Sequence, residues 1–312
     1  MHLAGTAGAA RLTDDRWREL LRIRVSDPGA ITRAYAARRP RATLLSDTGT
    51  LFLVAADHPA RGALGVGSDR TAMADRRMLL ERLLIALDNP SVDGVLGSPD
   101  IVEELLLLDA LHDKVVIGSM NRGGLAGADW EIDDRFTGYD ARSLVDYGLD
   151  GGKMLLRLVD SDRGTIPTLH ACARAVSELA AHGLMAMVEP LPYHRDESGS
   201  LTMQKDSFSL QRAITIASGL GVTSAHTWLK MPAPQDVSVL DATTLPVLLL
   251  GGVPSGDAAT DMASWGKALG HDVARGLVVG RTLLYPPNGD VAGAVESAAK
   301  ILREARGRKG EE

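Results

Sequence analysis

The chain has 312 residues, enough for one large domain or two ordinary ones, and its 45% hydrophobic and 24% charged residues are typical of globular proteins. Its formal net charge of −6 argues against a nucleic-acid partner, and its single cysteine, Cys172, excludes an intrachain disulfide and a cysteine metal cluster. No apolar run reaches the ~18 residues of a membrane span, and the N-terminal residues lack the apolar core of a signal peptide. The sequence therefore predicts a cytoplasmic protein without a membrane partner.

From residue 50 onward, short apolar runs alternate with amphipathic stretches of helix length. Strands are predicted at residues 50–57, 92–99, 114–120, 152–159, 184–193, 224–234, 245–252 and 274–281. Helices are predicted at residues 76–89, 100–112, 140–148, 165–183, 207–221, 256–270 and 290–305.

This alternation predicts a parallel sheet that is buried on both faces. Eight strand–helix units in about 260 residues match an α/β fold of the (β/α)8 (TIM) barrel type. The alternative is a doubly wound open sheet, although no Gly-x-Gly-x-x-Gly motif follows the first strand. Residues 1–48 are predicted to be an N-terminal helical extension that covers the closed end of the barrel or joins an oligomer interface. Residues 49–312 are predicted to form the barrel domain.

Ionisable residues stand at or near the C-terminal ends of several predicted strands, where such barrels hold their active sites. Asp57 ends the first strand, Lys153 lies in the fourth, Glu189 in the fifth and Lys230 in the sixth. Because an unpaired buried charge costs several kcal/mol, these two cations and two anions are expected to meet one another. Each alone could be a turn cap, a surface ion pair or a lysine whose stem lies on apolar surface. Their joint position favours a common catalytic site.

Glycines at the ends of the last two strands predict a phosphate site. Gly251 and Gly252 end the seventh strand, and Gly280 followed by Arg281 ends the eighth. Backbone N–H groups at such glycines can approach a phosphate closely, and the arginine adds a charge-assisted contact. Arg157, on the same strand face as Lys153, is a further candidate substrate-binding residue; the alternative is a structural ion pair with an aspartate after that strand.

Six segments resemble the class I (Schiff-base) aldolases of the DeoC/LacD family, which are (β/α)8 barrels. In chain order, and within residues 50–286, they are AADHPARG, GGKMLLRLVDSD, MVEPLPY, HTWLKMP, LLGGVPSGD and GLVVGRTLLYP. The resemblance is closest to tagatose-bisphosphate aldolase and to related sugar-phosphate aldolases, including those of inositol catabolism in actinobacteria.

By this resemblance, Lys230 is the Schiff-base lysine, Lys153 the second lysine of the pair, and Glu189 the proton-transfer acid/base. Asp57 is the strand-one carboxylate, and the strand-end glycines with Arg281 bind the substrate phosphate. Archaeal-type fructose-bisphosphate aldolases use a tyrosine for the proton transfer. The glutamate in the fifth strand therefore favours the tagatose-type arrangement and leaves the sugar open.

The expected reaction is cleavage of a phosphorylated keto sugar to dihydroxyacetone phosphate and an aldehyde, with no metal and no cofactor. Candidate substrates are 2-deoxy-5-keto-gluconate 6-phosphate, tagatose or fructose bisphosphate, and a sulfo-sugar phosphate. The alternatives are a deoxyribose-phosphate-type aldolase, a transaldolase-like enzyme, and a non-catalytic barrel that binds a sugar phosphate. Gly123, Gly124 and Gly127 indicate a mobile segment over the mouth of the barrel. Barrels of this class often form oligomers, and a homo-oligomer is therefore one of the expected states.

Overall fold

Eight parallel strands, β1 to β8, close into a barrel in the computed structural model, which describes residues 11–197, 199–252 and 258–309. The strands are Leu51–Ala56, Gly94–Gly97, Val115–Ser119, Gly151–Leu158, Met185–Arg195, Thr227–Pro232, Val247–Leu250 and Ala274–Val279. Each strand pairs in parallel with the next one in chain order, and β8 pairs with β1 to close the ring. The predicted (β/α)8 barrel is confirmed, and the open-sheet alternative is wrong.

Helices surround the barrel, and each predicted helix is present with ends shifted by a few residues. They are α1 Asp14–Ser26, α2 Gly29–Ala37, α3 Arg76–Asp88, α4 Pro99–Leu107, α5 Ala141–Asp146, α6 Thr165–Ala181, α7 Ser207–Ser218, α8 Ala258–Ala268, α9 Arg281–Leu284 and α10 Val291–Lys309. Between β6 and β7 the connection is a 3-10 helix, Val237–Ala242, and a second 3-10 helix, Pro59–Arg61, follows β1. A short strand, Leu201–Met203, pairs antiparallel with the end of β5. In the described ranges, no helix combines the length and the apolar character that crossing a lipid bilayer requires.

The alternation of strand side chains divides the core into two layers. Outward-facing strand residues pack against the helices. Inward-facing residues fill the N-terminal half of the barrel with a separate apolar cluster made of Leu51, Leu53, Ala55, Leu96, Val115, Ile117, Met185, Met187, Leu248 and Val278. One or two residues further along the same inward-facing rows, the side chains become polar. The barrel is therefore a packed core at one end and a polar site at the other.

The segment before β1 lies over the closed end of the barrel. The Arg38 guanidinium donates a hydrogen bond to the backbone oxygen of Lys114, 2.9 Å away, and lies 3.5 Å from the carboxylate of Asp150. These two partners directly precede β3 and β4. Leu44 and Leu45 pack against the inner apolar cluster from the same side. This segment therefore shields the N-terminal end of the inner core from water.

Asn121, which is completely buried, ties the loop after β3 to β4. Its Nδ2 donates to the backbone oxygen of Leu155 at 2.6 Å, and its Oδ1 accepts from the Leu155 N–H at 2.8 Å. Replacing Asn121 with alanine should leave both backbone groups unpaired, at a cost of about 1–3 kcal/mol for each. Urea unfolding should show a lower midpoint with an unchanged slope.

The control is the exposed Asn288, whose Oδ1 accepts one surface hydrogen bond from the Asp290 N–H at 3.0 Å. Its replacement by alanine should cost no more than about 1 kcal/mol, since the released N–H group can bind water. Equal midpoints for the two variants would show that the Asn121 bridge contributes nothing to folding.

Candidate active site

A pocket opens at the C-terminal end of the barrel, and the four predicted catalytic residues line it together. Asp57 directly follows β1, Lys153 lies in β4, Glu189 in β5 and Lys230 in β6. All four occupy inward-facing positions, and each side chain is almost fully withdrawn from solvent. The barrel geometry therefore brings these residues together, although up to 173 positions separate them in the chain.

The four side chains form a row in which cations and anions alternate. Lys230 Nζ donates a hydrogen bond to Glu189 Oε1 at 2.9 Å. The other carboxylate oxygen, Oε2, is in contact with Lys153 Nζ. Lys153 Nζ also donates to Asp57 Oδ2 at 3.2 Å. Each of the two inner members, Glu189 and Lys153, thus has an opposite charge on both sides, which offsets the cost of burying it.

Two further residues hold Asp57 in place, and both were missed in the sequence. Arg122 Nη1 donates to the backbone oxygen of Asp57 at 2.8 Å, and its Nη2 lies 3.0 Å from Asp57 Oδ2. Ser119 Oγ, at the end of β3, donates to the same carboxylate oxygen at 3.2 Å. The available signal was the arginine in MNRGG, which comes just after a strand end in a chain already predicted to be a barrel.

Burial and charge act against each other in the pKa values of this row. Burial lowers the pKa of Lys153 to about 8, against the opposing effects of Asp57 and Glu189. Burial alone would raise the pKa of Glu189, but the charges of Lys153 and Lys230 outweigh it and lower the pKa to about 2. Burial would likewise raise the pKa of Asp57, yet Arg122 and Lys153 hold it well below its usual range. Both carboxyl groups are therefore ionised at neutral pH, while Lys153 is close to titrating.

The predicted phosphate residues line the side of the pocket formed by β7 and β8: Gly251, Gly252, Gly280 and Arg281. A Cβ at Gly280 would lie 2.5 Å from the backbone oxygen of Ala55, so the close approach of β8 to β1 requires glycine there. The buried Nε of Arg281 has no hydrogen-bond partner among the described residues. The rest of the predicted glycine-rich loop, residues 253–257, lies outside the described residues.

His58 stands between the row of charges and the β7–β8 side of the pocket. Burial lowers its pKa to about 3, so the imidazole is neutral at physiological pH. Its buried Nδ1 lies 3.7 Å from Asp57 Oδ1, without a hydrogen bond to any described residue.

Arg157 lies across the barrel from Gly280, because β4 and β8 are opposite in the ring of strands. Its Nη1 is paired with the carboxylate of Glu131, and its Nη2 donates to the backbone oxygen of Gly124 at 3.2 Å. Its partners thus come from the loop after β3 and not from the aspartates that follow β4. Only the buried Nε has no partner among the described residues. This single donor is what Arg157 can offer a ligand.

The loop after β3, predicted to be a mobile segment, is held down by buried ion pairs. Arg61 Nη1 lies 2.7 Å from Asp134 Oδ2 and donates to the backbone oxygen of Gly124 at 2.6 Å. The other oxygen of Asp134 accepts the Gly124 N–H at 2.8 Å. A Cβ at Gly124 would lie 2.2 Å from the backbone oxygen of Glu131. The glycine therefore permits close packing. Arg61 and Glu131 line the pocket, and Asp134 supports Arg61. The sequence analysis did not predict these three residues.

Comparisons with known proteins agree with this architecture. The model of the Cgl0159-like family matches residues 49–299. The crystal structure of Cgl0159 from Corynebacterium glutamicum is 48% identical in sequence and superimposes with a TM-score of 0.90, covering 94% of this chain and 98% of that one. Among curated proteins, no sequence matches.

More distant solved structures share the barrel. An archaeal fructose 1,6-bisphosphate aldolase is 17% identical, with a TM-score of 0.64 over 88% of this chain and 99% of that one. The fructose-bisphosphate aldolase of Slackia heliotrinireducens is 15% identical, with a TM-score of 0.59 over 99% and 95% of the two chains. At these identities the likeness establishes the fold alone.

Proposed function

The chain belongs to the Cgl0159-like family, and we propose that it is a class I aldolase that cleaves a phosphorylated keto sugar through a Schiff base on Lys230. The products are dihydroxyacetone phosphate and an aldehyde. The observation that carries this proposal is the buried row Lys230–Glu189–Lys153–Asp57 at the open end of the barrel. The similar fold of two fructose-bisphosphate aldolases, one archaeal and one from Slackia heliotrinireducens, supports it further.

The row suits the first half of an aldolase reaction. The amine of Lys230 attacks the ketone carbon, and an attacking amine must be neutral. Glu189 Oε1, 2.9 Å from Lys230 Nζ, is placed to take a proton from the amine and to return it to the departing hydroxyl group as water. The product of this half is a protonated imine.

The protonated imine then acts as the electron sink. A base removes the proton of the C4 hydroxyl, the C3–C4 bond breaks, and its electron pair moves toward the imine nitrogen to give an enamine. The aldehyde leaves, the enamine is protonated at C3, and water releases dihydroxyacetone phosphate from Lys230. Glu189 is the proposed proton shuttle, and Asp57 is proposed to orient Lys153 or a substrate hydroxyl.

In this proposal the phosphate binds at Gly251, Gly252, Gly280 and Arg281, and Arg157 contacts the other end of the substrate through its Nε. Backbone N–H groups at these glycines are the proposed phosphate donors, and the arginine supplies a matching charge. The candidate substrates are 2-deoxy-5-keto-gluconate 6-phosphate, tagatose or fructose bisphosphate, and a sulfo-sugar phosphate.

Borohydride trapping tests the proposal directly. The protein is incubated with dihydroxyacetone phosphate, reduced, digested and analysed by mass spectrometry. We expect a stable secondary amine on the peptide that contains Lys230, and none when borohydride is omitted. Absence of the adduct would exclude the Schiff-base function and leave the non-catalytic sugar-phosphate barrel. An adduct with acetaldehyde but not with dihydroxyacetone phosphate would indicate the deoxyribose-phosphate type.

The pH dependence of cleavage should report the charge of Lys153. Since its pKa is about 8, kcat/KM should fall as the pH rises above that value, because the ammonium beside Glu189 is lost. In the variant Asp57→Asn, the falling limb should move to lower pH, since the charge of Asp57 raises the pKa of Lys153. A limb at the same pH in both proteins would show that Lys153 is not the group that titrates.

A further inference from the structure

The two ends of the pocket differ in the charges they can offer a substrate. If the phosphate lies against β7 and β8, as proposed above, the ring of strands places the aldehyde half on the opposite side, near β3, β4 and β5. The side chains there include Arg61, Arg157 and Glu131, with the apolar Leu155 and Leu191 between them and the lysines. This end of the pocket decides which aldehydes the enzyme accepts.

The arginines at the aldehyde end are already neutralised by the protein. Arg157 is paired with Glu131, and Arg61 lies 2.7 Å from Asp134. Both guanidinium groups also donate to the backbone oxygen of Gly124. Each arginine is 5% exposed, so neither can turn toward a ligand without giving up buried contacts. The resulting wall presents the Glu131 carboxylate together with the two arginines, and Asp134 pairs with Arg61 without lining the pocket.

A charge balance over the centre and the aldehyde end limits the substrate. The cations are Arg61, Arg122, Arg157, Lys153 and Lys230, the last counted as its protonated imine. The anions are Asp57, Glu131, Asp134 and Glu189. Five cations against four anions leave one positive charge uncompensated among these described residues. A second phosphate, with two negative charges, would exceed this single positive charge and would lie beside the Glu131 carboxylate. A neutral aldehyde, or one with a single carboxylate, would not exceed it.

We propose that the aldehyde half of the substrate carries no phosphate and at most one negative charge, so that the enzyme acts on a ketose monophosphate and not on a bisphosphate. This inference rests on the proposed aldolase function. It names Glu131 as a specificity-determining residue, because its carboxylate both occupies Arg157 and repels a second anion.

Two ketose phosphates that differ only in the aldehyde half test this inference. Fructose 1-phosphate and fructose 1,6-bisphosphate are compared as competitors of borohydride trapping on Lys230 by isotopically labelled dihydroxyacetone phosphate. The label distinguishes this adduct by mass from one formed with dihydroxyacetone phosphate released from either sugar. We expect the monophosphate to halve the labelled adduct at a concentration at least about tenfold lower than the bisphosphate. Equal competition, or stronger competition by the bisphosphate, would overturn the inference while leaving the Schiff base intact. Failure of the dihydroxyacetone phosphate adduct itself would instead refute the proposed function.

The variant Glu131→Gln assigns the effect to a residue. Removing this carboxylate should strengthen competition by the bisphosphate, relative to competition by the monophosphate, by about tenfold. The readout is the ratio of the concentrations at which the two sugars halve the adduct, because a partly unfolded variant loses affinity for both sugars together. The control is Glu103→Gln, which removes a carboxylate paired with Arg24 at 2.7 Å on the outside of the barrel and should leave the ratio unchanged. An unchanged ratio in Glu131→Gln would remove Glu131 from the specificity.

Discussion

Replacing Lys230 with methionine is expected to abolish aldol cleavage and the borohydride-stable adduct together. Methionine keeps an unbranched apolar side chain of similar length but has no amine to attack the ketone. The neighbouring Lys153 does not replace it in this expectation, since its Nζ is engaged by both Glu189 and Asp57. Mass spectrometry of the trapped protein and a coupled assay of released dihydroxyacetone phosphate measure the two effects.

The control for this variant is Lys300→Met, which removes an exposed lysine on α10 and should leave both measurements unchanged. The variant Lys153→Met sharpens the assignment, because it should slow turnover but still allow an adduct on Lys230. An adduct on Lys153 in the Lys230→Met protein, with turnover retained, would reverse the proposed roles of the two lysines.

Replacing Glu189 with glutamine should lower kcat by about 10²- to 10⁴-fold, the usual contribution of a positioned acid/base group. The amide fills the same space and can still accept a hydrogen bond from Lys230, but it cannot carry a proton between substrate and water. The imine should still form, so slow trapping with dihydroxyacetone phosphate is expected to continue. The combination of a retained adduct and lost turnover distinguishes a proton shuttle from a merely structural carboxylate.

Glu104→Gln is a matched control because this carboxylate is also mostly buried and paired, 3.1 Å from Arg76, on the outer surface of the barrel. It should change kcat little. Full activity in Glu189→Gln would remove Glu189 from the mechanism, and Tyr193, which lines the same pocket on β5, would be the next acid/base candidate.

The fold was accessible from the sequence because a parallel barrel repeats one local unit. Each strand is an apolar run of a few residues followed by a helix or a turn, and its periodicity does not depend on distant residues. The ends of elements were less well predicted. For example, α4 ends at Leu107, five residues before the predicted end at residue 112, although apolar residues continue beyond it. The local pattern of apolar residues therefore predicts that a helix is present, but it does not predict the residue at which the helix ends.

The meeting of Asp57, Lys153, Glu189 and Lys230 was also predicted from the sequence, since buried charges near strand ends must pair with one another. The resemblance to known aldolases added expected roles for them. What the sequence did not contain is how the charges are shared: one oxygen of Glu189 for each lysine, and Asp57 shared between Lys153 and Arg122.

By itself, the sequence determined the eight-stranded barrel and the ring position of four ionisable residues, because both depend on spacing along single strands. Only the tertiary structure decided that Arg157 is neutralised by Glu131, and that the loop after β3 is fixed over the pocket. The contact between Arg157 and Glu131 joins residues 26 positions apart, and the contact between Lys153 and Asp57 joins residues 96 positions apart. Pairing of buried charges at such separations is set by how loops and strands meet in space, and no local pattern encodes it.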